Sequence, residues 1–320
     1  MKIQIVMHLV GQLLLLLATI MLVPFGYGLL WEEPYYSFIT VSVLTALTGG
    51  ALYYWGRPGT NYSLRDGFLI VSATWLLSSL ASALPFYFSG ILPSFIDALF
   101  ESVSGITATG ASVIADLDSV PKSFVLWRGL THWLGGMGII VLVLAFLKNL
   151  GADAAHLFNA EASVPRPGVV LPRIQSMAVK LWRIYLLFTA VCCILLYGAG
   201  MSWFDAINMT FSTIATGGFT PNAAGTFAYA DNYWIRYILV VFMILAGGNF
   251  TVYYSVFQRG IKEIWYDFEY RMYLLILGIG IMLITFALSV QGSESFLQSF
   301  NDATFMLISM QTGSGFAVAD

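Results

Sequence analysis

The sequence predicts an all-α polytopic membrane protein, and three observations carry that reading: few charges, long charge-free runs, and one short segment that occurs three times. Of 320 residues, 58% are hydrophobic and only 10% are charged, whereas a soluble globular chain has about 25% charged residues. Runs without Asp, Glu, Lys or Arg cover 3–31, 34–56, 67–96, 129–147, 184–204, 237–258 and 272–293. Each is near or above the ~17–25 residues that cross a ~30 Å hydrocarbon core, so seven spanning helices are expected.

Taken in chain order, residues 1–62 hold two leading helices. The first follows Met1-Lys2; its apolar stretch is too long for a secretory signal and has no clear small-x-small cleavage site, so it reads as a retained helix. With Lys2 in the cytoplasm, alternation of the seven spans puts Arg57, Arg65, Lys148, Arg166, Arg173, Lys180, Arg183, Arg259, Lys262 and Arg271 on the same side. That is eleven of the 14 basic residues, the bias expected of cytoplasmic loops. Lys122, Arg128 and Arg236 fall outside, among Glu32, Glu33, Asp97, Glu101, Asp116, Asp118, Asp205, Asp231, Glu294, Asp302 and Asp320. An acidic outer face concentrates cations, although the same asymmetry arises without transport.

The repeated segment reads DALFESVSGITATGA from 97, DAINMTFSTIATGGF from 205 and DATFMLISMQTGSGF from 302. The copies align without a gap. Each has a serine at the seventh position after its aspartate (Ser104, Ser212, Ser309) and a glycine at the thirteenth (Gly110, Gly218, Gly315). The stretch between aspartate and glycine cluster allows a helix of roughly 12–15 Å, about half a membrane. The linkers 97–128 and 205–236 must also start and finish on the outside, so each copy is a re-entrant half-helix that dips in and returns. The chain therefore divides into a first pore unit at 63–150, a second at 151–258 and a third at 259–320. Each unit is built as outer helix, half-helix, glycine loop and inner helix, with inner helices near 122–148 and 233–258. A cytoplasmic linker at 151–172 carries Pro165, Pro167, Gly168 and Pro172, a composition that does not sustain a helix. The third unit reaches Asp320 directly after its glycine loop, so its inner helix is missing here.

Irregular backbone at membrane depth occurs only where it is buried in protein or lines a water-filled path. Cation coordination is one use for it, since backbone carbonyls in a narrow passage can replace a hydration shell and glycine permits the necessary dihedrals. The candidate filter lining is Thr107, Ala108, Thr109 and Gly110; Ala215, Thr216, Gly217 and Gly218; and Thr312, Gly313, Ser314 and Gly315, acting through their carbonyls on a cation. A single Gly/Thr cluster would read as a close-packing site; three matched copies favour the filter. Asp97, Asp205 and Asp302 are read as caps of the half-helices rather than ion ligands, because a carboxylate there satisfies amides and complements the helix dipole. Glu101 has no counterpart in the other copies, where Met209 and Met306 occupy the aligned positions, and is left as structural or mouth-lining. Gly135-Gly136-Met137-Gly138 and Gly247-Gly248-Asn249 allow close helix approach or a bend. Cys192, Cys193, His8 and His132 lack partners at metal-ligand spacing. Walker-type loops, dinucleotide fingerprints and hydrolase motifs are absent from the sequence, which argues against an enzyme and against a cofactor held by this chain.

At SGITATGAS, STIATGGFT and SMQTGSGFA, with HWLGGMGIIVL and LAGGNFTVYY, the sequence resembles the TrkH/KtrB/HKT superfamily of K⁺ transporters. The leading helices and the segments DGFLIVSATW, LPFYFS and FDAI look most like its bacterial TrkH/TrkG branch. The resemblance implies a pore of four homologous units in one subunit, with Gly110, Gly218 and Gly315 among the filter glycines. In the plant branch a serine in place of the first filter glycine accompanies Na⁺ preference, so Gly110 implies K⁺. It further implies a homodimer in the bacterial inner membrane, in contact with lipid but not nucleic acid. A cytosolic TrkA-type ring would control it, and NAD or ATP/ADP would act only through that partner. The third inner helix with its gating loop, and the whole fourth unit, would lie beyond Asp320. Na⁺ permeation or Na⁺-coupled uptake, and a non-conducting membrane scaffold, are the competing readings.

Overall fold

A computed structural model describes residues 2–59, 64–138, 171–290 and 295–317. Those residues form only helices and loops: α1 Ile3–Ile20, α2 Leu22–Leu30, α3 Tyr36–Trp55, α4 Leu64–Phe88, α5 Phe95–Ile106, α6 Lys122–Gly136, α7 Leu171–Gly198, α8 Trp203–Ala215, α9 Tyr233–Gly247, α10 Phe250–Arg259, α11 Glu263–Tyr266, α12 Phe268–Val290 and α13 Phe296–Thr312, with a 3₁₀ turn at Gly225–Tyr229. Among the described residues, five helical stretches, α1 with α2 counting as one, are long and apolar enough to cross a membrane, or six if α9 and α10 count as one bent span. The fourth expected span, 129–147, runs into residues outside the described set, which also hold nearly all of the expected linker 151–172.

By contact the chain falls into two units, Met1–Thr107 with Ala111–Trp182, and Ala108–Gly110 with Arg183–Asp320. In the first, α1 and α3 approach closely because glycines face each other. A Cβ on Gly11 would sit 2.5 Å from the Tyr53 amide nitrogen and 2.6 Å from the Gly49 carbonyl oxygen, and one on Gly49 would sit 3.0 Å from the Gly11 carbonyl oxygen. Lipid tails are as apolar as leucine, so helix association in a bilayer depends on such close backbone packing. Gly11→Val should therefore lower the thermal unfolding midpoint in detergent, by the equivalent of about 1–3 kcal/mol. The outer helix α4 packs on the short helix α5, where the Ser102 hydroxyl donates to the Ser79 carbonyl at 2.7 Å. The Trp127 indole N–H of α6 donates to the Ser82 carbonyl at 3.1 Å, in the turn loosened by Pro85 within α4.

In the second unit the expected inner helix 233–258 is broken. The axes of α9 and α10 differ by 96° across Gly248-Asn249. A break of this size frees backbone groups that need partners away from water, and side chains supply them. The Tyr253 hydroxyl donates to the Leu245 carbonyl at 2.8 Å, the Tyr273 hydroxyl donates to the Ile244 carbonyl at 3.1 Å, and the Asn249 side chain accepts from the Thr251 amide at 2.9 Å. Ile184, Val252, Tyr253 and Tyr270 form the buried core around the break. The span α12 is apolar almost all round and mostly exposed, with Leu283 and Phe286 65% and 69% accessible, as suits a helix facing lipid.

Candidate functional site

Each glycine loop is delivered by a short helix, and serine starts each one. The side chains of Ser94, Ser202 and Ser295 accept from the amides of Asp97, Asp205 and Gln298 at 3.4, 3.1 and 3.4 Å. The expectation that Asp97, Asp205 and Asp302 are the caps is therefore corrected. Asp97 and Asp205 lie in the first turns of α5 and α8, close enough to complement the dipole. Asp302 lies well inside α13, which begins at Phe296 and is 17 residues long against 12 for α5 and 13 for α8. Asp302 forms an ion pair with Arg236 of α9. The Asp205 carboxylate accepts from the Ser202 and Tyr229 hydroxyls, each at 2.7 Å. Burial, and then that hydrogen bond to Asp205, push the Tyr229 phenol up from its ordinary value, so it stays a donor.

After each helix the backbone repeats one conformation. Ala108, Thr216 and Gly313, all eleven positions after their aspartates, have φ of 52°, 54° and 80°. The glycines at position thirteen, Gly110, Gly218 and Gly315, have φ of 80°, 94° and 65°. The intervening Thr109, Gly217 and Ser314 are not left-handed. A strand that alternates positive with negative φ can turn its carbonyls toward one side rather than alternating them across it, an arrangement that ion filters use and that glycine permits. Non-glycine residues pay about 1–2 kcal/mol for this region; Ala108 and Thr216 are held there.

The three strands meet at backbone. A Cβ on Gly110 would overlap the Gly217 carbonyl oxygen, and one on Gly218 would sit 2.6 Å from the Ser314 carbonyl oxygen and 3.8 Å from the Gly315 Cα. A Cβ on Gly313 would lie 3.8 Å from the Thr216 carbonyl oxygen. Ala108–Gly110 thus group with the second unit even though Thr107 and Ala111 group with the first. Of the twelve expected lining residues, those at positions eleven to thirteen form these strands. Thr107 caps α5, while Ala215 and Thr312 are the last residues of α8 and α13. The Thr107 and Thr312 hydroxyls turn back to the Val103 and Ile308 carbonyls, each at 2.7 Å.

Behind the second and third strands, the buried serines at position seven, Ser212 and Ser309, hold backbone. The Ser212 carbonyl accepts from the Gly217 amide at 2.9 Å and the Ser309 carbonyl from the Gly315 amide at 3.2 Å. The Ser309 hydroxyl donates to the Phe316 carbonyl at 2.7 Å. In the first unit is a group missed in the sequence. Glu101, 1% accessible, is buried and so does not line the mouth. Its carboxylate pairs with Arg128 Nε of α6 at 2.7 Å and accepts from the Ser112 hydroxyl at 3.0 Å and the Val113 amide at 3.0 Å. The available signal was an arginine 31 positions after the aspartate in both complete repeats, Arg128 and Arg236.

Carbonyl oxygens at a shared seam suit a weakly held, partly dehydrated cation. The short helices also point their partially negative C-terminal ends toward the strands. Among the described residues there is no cluster of three or more His, Cys, Asp or Glu side chains that could hold a metal.

The family model described as TrkH, cation transport protein, matches residues 36–320. The chain belongs to the TrkH family. The family is described as one of cation transport proteins. The TrkH-family chain is 36% identical over 315 residues to the Trk system potassium uptake protein TrkH of Escherichia coli, covering 97% of this chain and 65% of that protein. It is also 36% identical to the Trk system potassium uptake protein TrkG of Escherichia coli, covering 99% of this chain and 66% of that one. The crystal structure of the potassium transporter TrkH from Vibrio parahaemolyticus matches with a TM-score of 0.87 at 35% identity, covering 100% of this chain and 66% of that chain. The chain spans about 65% of the length of the first of these relatives, and shares the TrkH fold of repeated pore-helix units.

Proposed function

We propose that the chain forms part of a potassium-selective pore in a bacterial inner membrane, with Ala108–Gly110, Thr216–Gly218 and Gly313–Gly315 as three sides of its filter. The observation that carries this reading is the left-handed pair at positions eleven and thirteen in all three loops, joined where carbonyl oxygens meet glycine. Potassium uptake is named for relatives on which nearly the whole chain aligns. In this proposal the pore units are 63–150, 151–258 and 259–320, and a fourth loop of the kind the family resemblance implies lies beside Gly315. The N-terminus is cytoplasmic. Arg259 and Lys262, both exposed at the turn between α10 and α12, give a basic face on which a cytosolic nucleotide-binding regulator of TrkA type can dock. The transporter works as a homodimer, and NAD or ATP/ADP acts only through that regulator.

The test is growth on low potassium of a host lacking its own uptake systems, with the protein expressed from its whole reading frame. Growth should be restored by the wild type and lost with Gly218→Ala, whose Cβ has no room against Ser314. Equal growth of the two strains, at equal membrane abundance, would overturn the filter reading. Growth that follows sodium supply instead would replace K⁺ with Na⁺ as the carried ion.

A further inference from the structure

We propose that Glu101 and Arg128 are positioning residues for ion selection, fixing the first filter strand through Ser112 and Val113. The inference rests on the filter reading above. It begins with a contrast between repeats. The position of Glu101 is filled by Met209 in the second copy and Met306 in the third, so the short helix packs there with an apolar side chain and has no need of a carboxylate. A buried charge is costly unless it is paired and fully hydrogen-bonded, and this one is: Glu101 and Arg128 side chains are 0% and 4% accessible.

What the carboxylate holds decides its role. One partner, Arg128, is on α6; the others, Ser112 and Val113, lie two and three residues after Gly110. The Arg128 Nη2 also donates to the Ser112 hydroxyl at 3.2 Å, and that hydroxyl accepts from the Ile114 amide at 3.2 Å. Helix α5, helix α6 and the chain leaving the filter strand are therefore tied at one point. The third loop is tied at the equivalent place by neutral groups. There the Ser309 hydroxyl donates to Phe316 and the Thr226 hydroxyl donates to Ala317, fourteen and fifteen positions after Asp302, where Ser112 and Val113 stand fifteen and sixteen after Asp97. Each tie fixes where its strand ends, and so where the carbonyls before it point. A charge pair does so more stiffly, because charge-assisted hydrogen bonds are shorter and stronger than neutral ones.

The experiment uses protein from the whole reading frame, purified and reconstituted in vesicles of bacterial phospholipid, with rubidium and sodium tracers as probes. Glu101→Gln should lower the ratio of rubidium to sodium influx by about tenfold, the scale of one weakened charge-assisted hydrogen bond. Glu101→Asp, which keeps the charge, should fall between Gln and wild type. Monodisperse Glu101→Gln with an unchanged ratio overturns the proposal. Where that variant does not purify as a single species, Ser112→Ala decides, and an unchanged ratio there overturns the proposal equally. Gly218→Ala separates the two ideas. If it leaves both rubidium influx and the ratio unchanged, the filter reading fails; if it lowers rubidium influx or the ratio while the Glu101 and Ser112 variants leave the ratio unchanged, the filter stands and the positioning role falls.

Discussion

Gly110→Ala should abolish potassium uptake, whereas Gly313→Ala should weaken it only partially. The two glycines share a φ of 80°, so the conformational strain of adding a side chain, about 1–2 kcal/mol in the left-handed region, is common to both. They differ in the space available. A Cβ on Gly313 would meet the Thr216 carbonyl oxygen at 3.8 Å, an ordinary contact, whereas one on Gly110 would overlap the Gly217 carbonyl oxygen. The overlapping atom is backbone and cannot rotate aside, so the strands must part. Carbonyl coordination falls off with distance, and a displacement on the order of an ångström removes one side of the ion's replacement hydration shell. Initial rates of rubidium uptake at equal membrane abundance would measure the difference. Equal rates for the two variants would mean that the seam between Gly110 and Gly217 has no part in conduction.

The repeated conformation of the glycine loops was legible in the sequence because its constraint is local. Positions that must be left-handed select glycine, and glycine recurs at the thirteenth position in all three copies. The eleventh position was less legible. Gly313 obeys the rule, but Ala108 and Thr216 take positive φ without glycine, held by the packing that surrounds them. The helix starts show a different failure. The aspartates line up so well across repeats that they attract the role of cap, while the Ser-x-x-Asp, Ser-x-x-Asp and Ser-x-x-Gln patterns at 94, 202 and 295 stood in the sequence as capping-box signatures. In the third copy the box lies further upstream, which lengthens α13 and puts Asp302 on a helix face where Arg236 can reach it.

Non-local features were hidden for a physical reason. Gly247-Gly248-Asn249 announced that a bend was possible, but its 96° depends on Tyr253 and Tyr273 reaching back to the carbonyls of Leu245 and Ile244. Those partners are separated by as many as 29 positions along the chain. Nor does composition show that a lone glutamate and a lone arginine, 27 positions apart, meet at 2.7 Å. In a sequence of low charge density, any ionisable residue near a membrane segment is a functional candidate with a partner to be found.

Arg128→Met should be the most destabilising of the substitutions considered for the first unit. Removing one member of a buried pair leaves the other charge without compensation, at a cost of about 3–5 kcal/mol. Glu101 would keep donors from Ser112 and Val113 but lose its only cationic partner among the described residues. The corresponding change Arg236→Met should cost less, because Arg236 and Asp302 side chains are 13% and 17% accessible and each charge keeps some contact with water. The double variant Glu101→Met with Arg128→Met should recover most of the loss, since methionine already fills the Glu101 position in the other two copies and replacing a whole buried pair by apolar groups is often neutral. Thermal unfolding in detergent across the cycle measures the coupling. If the double variant is as unstable as Arg128→Met, the stabilisation comes from arginine packing rather than from the charge pair. If the double variant is stable yet no longer distinguishes rubidium from sodium, stability and selection separate, and the buried pair is kept for the ion.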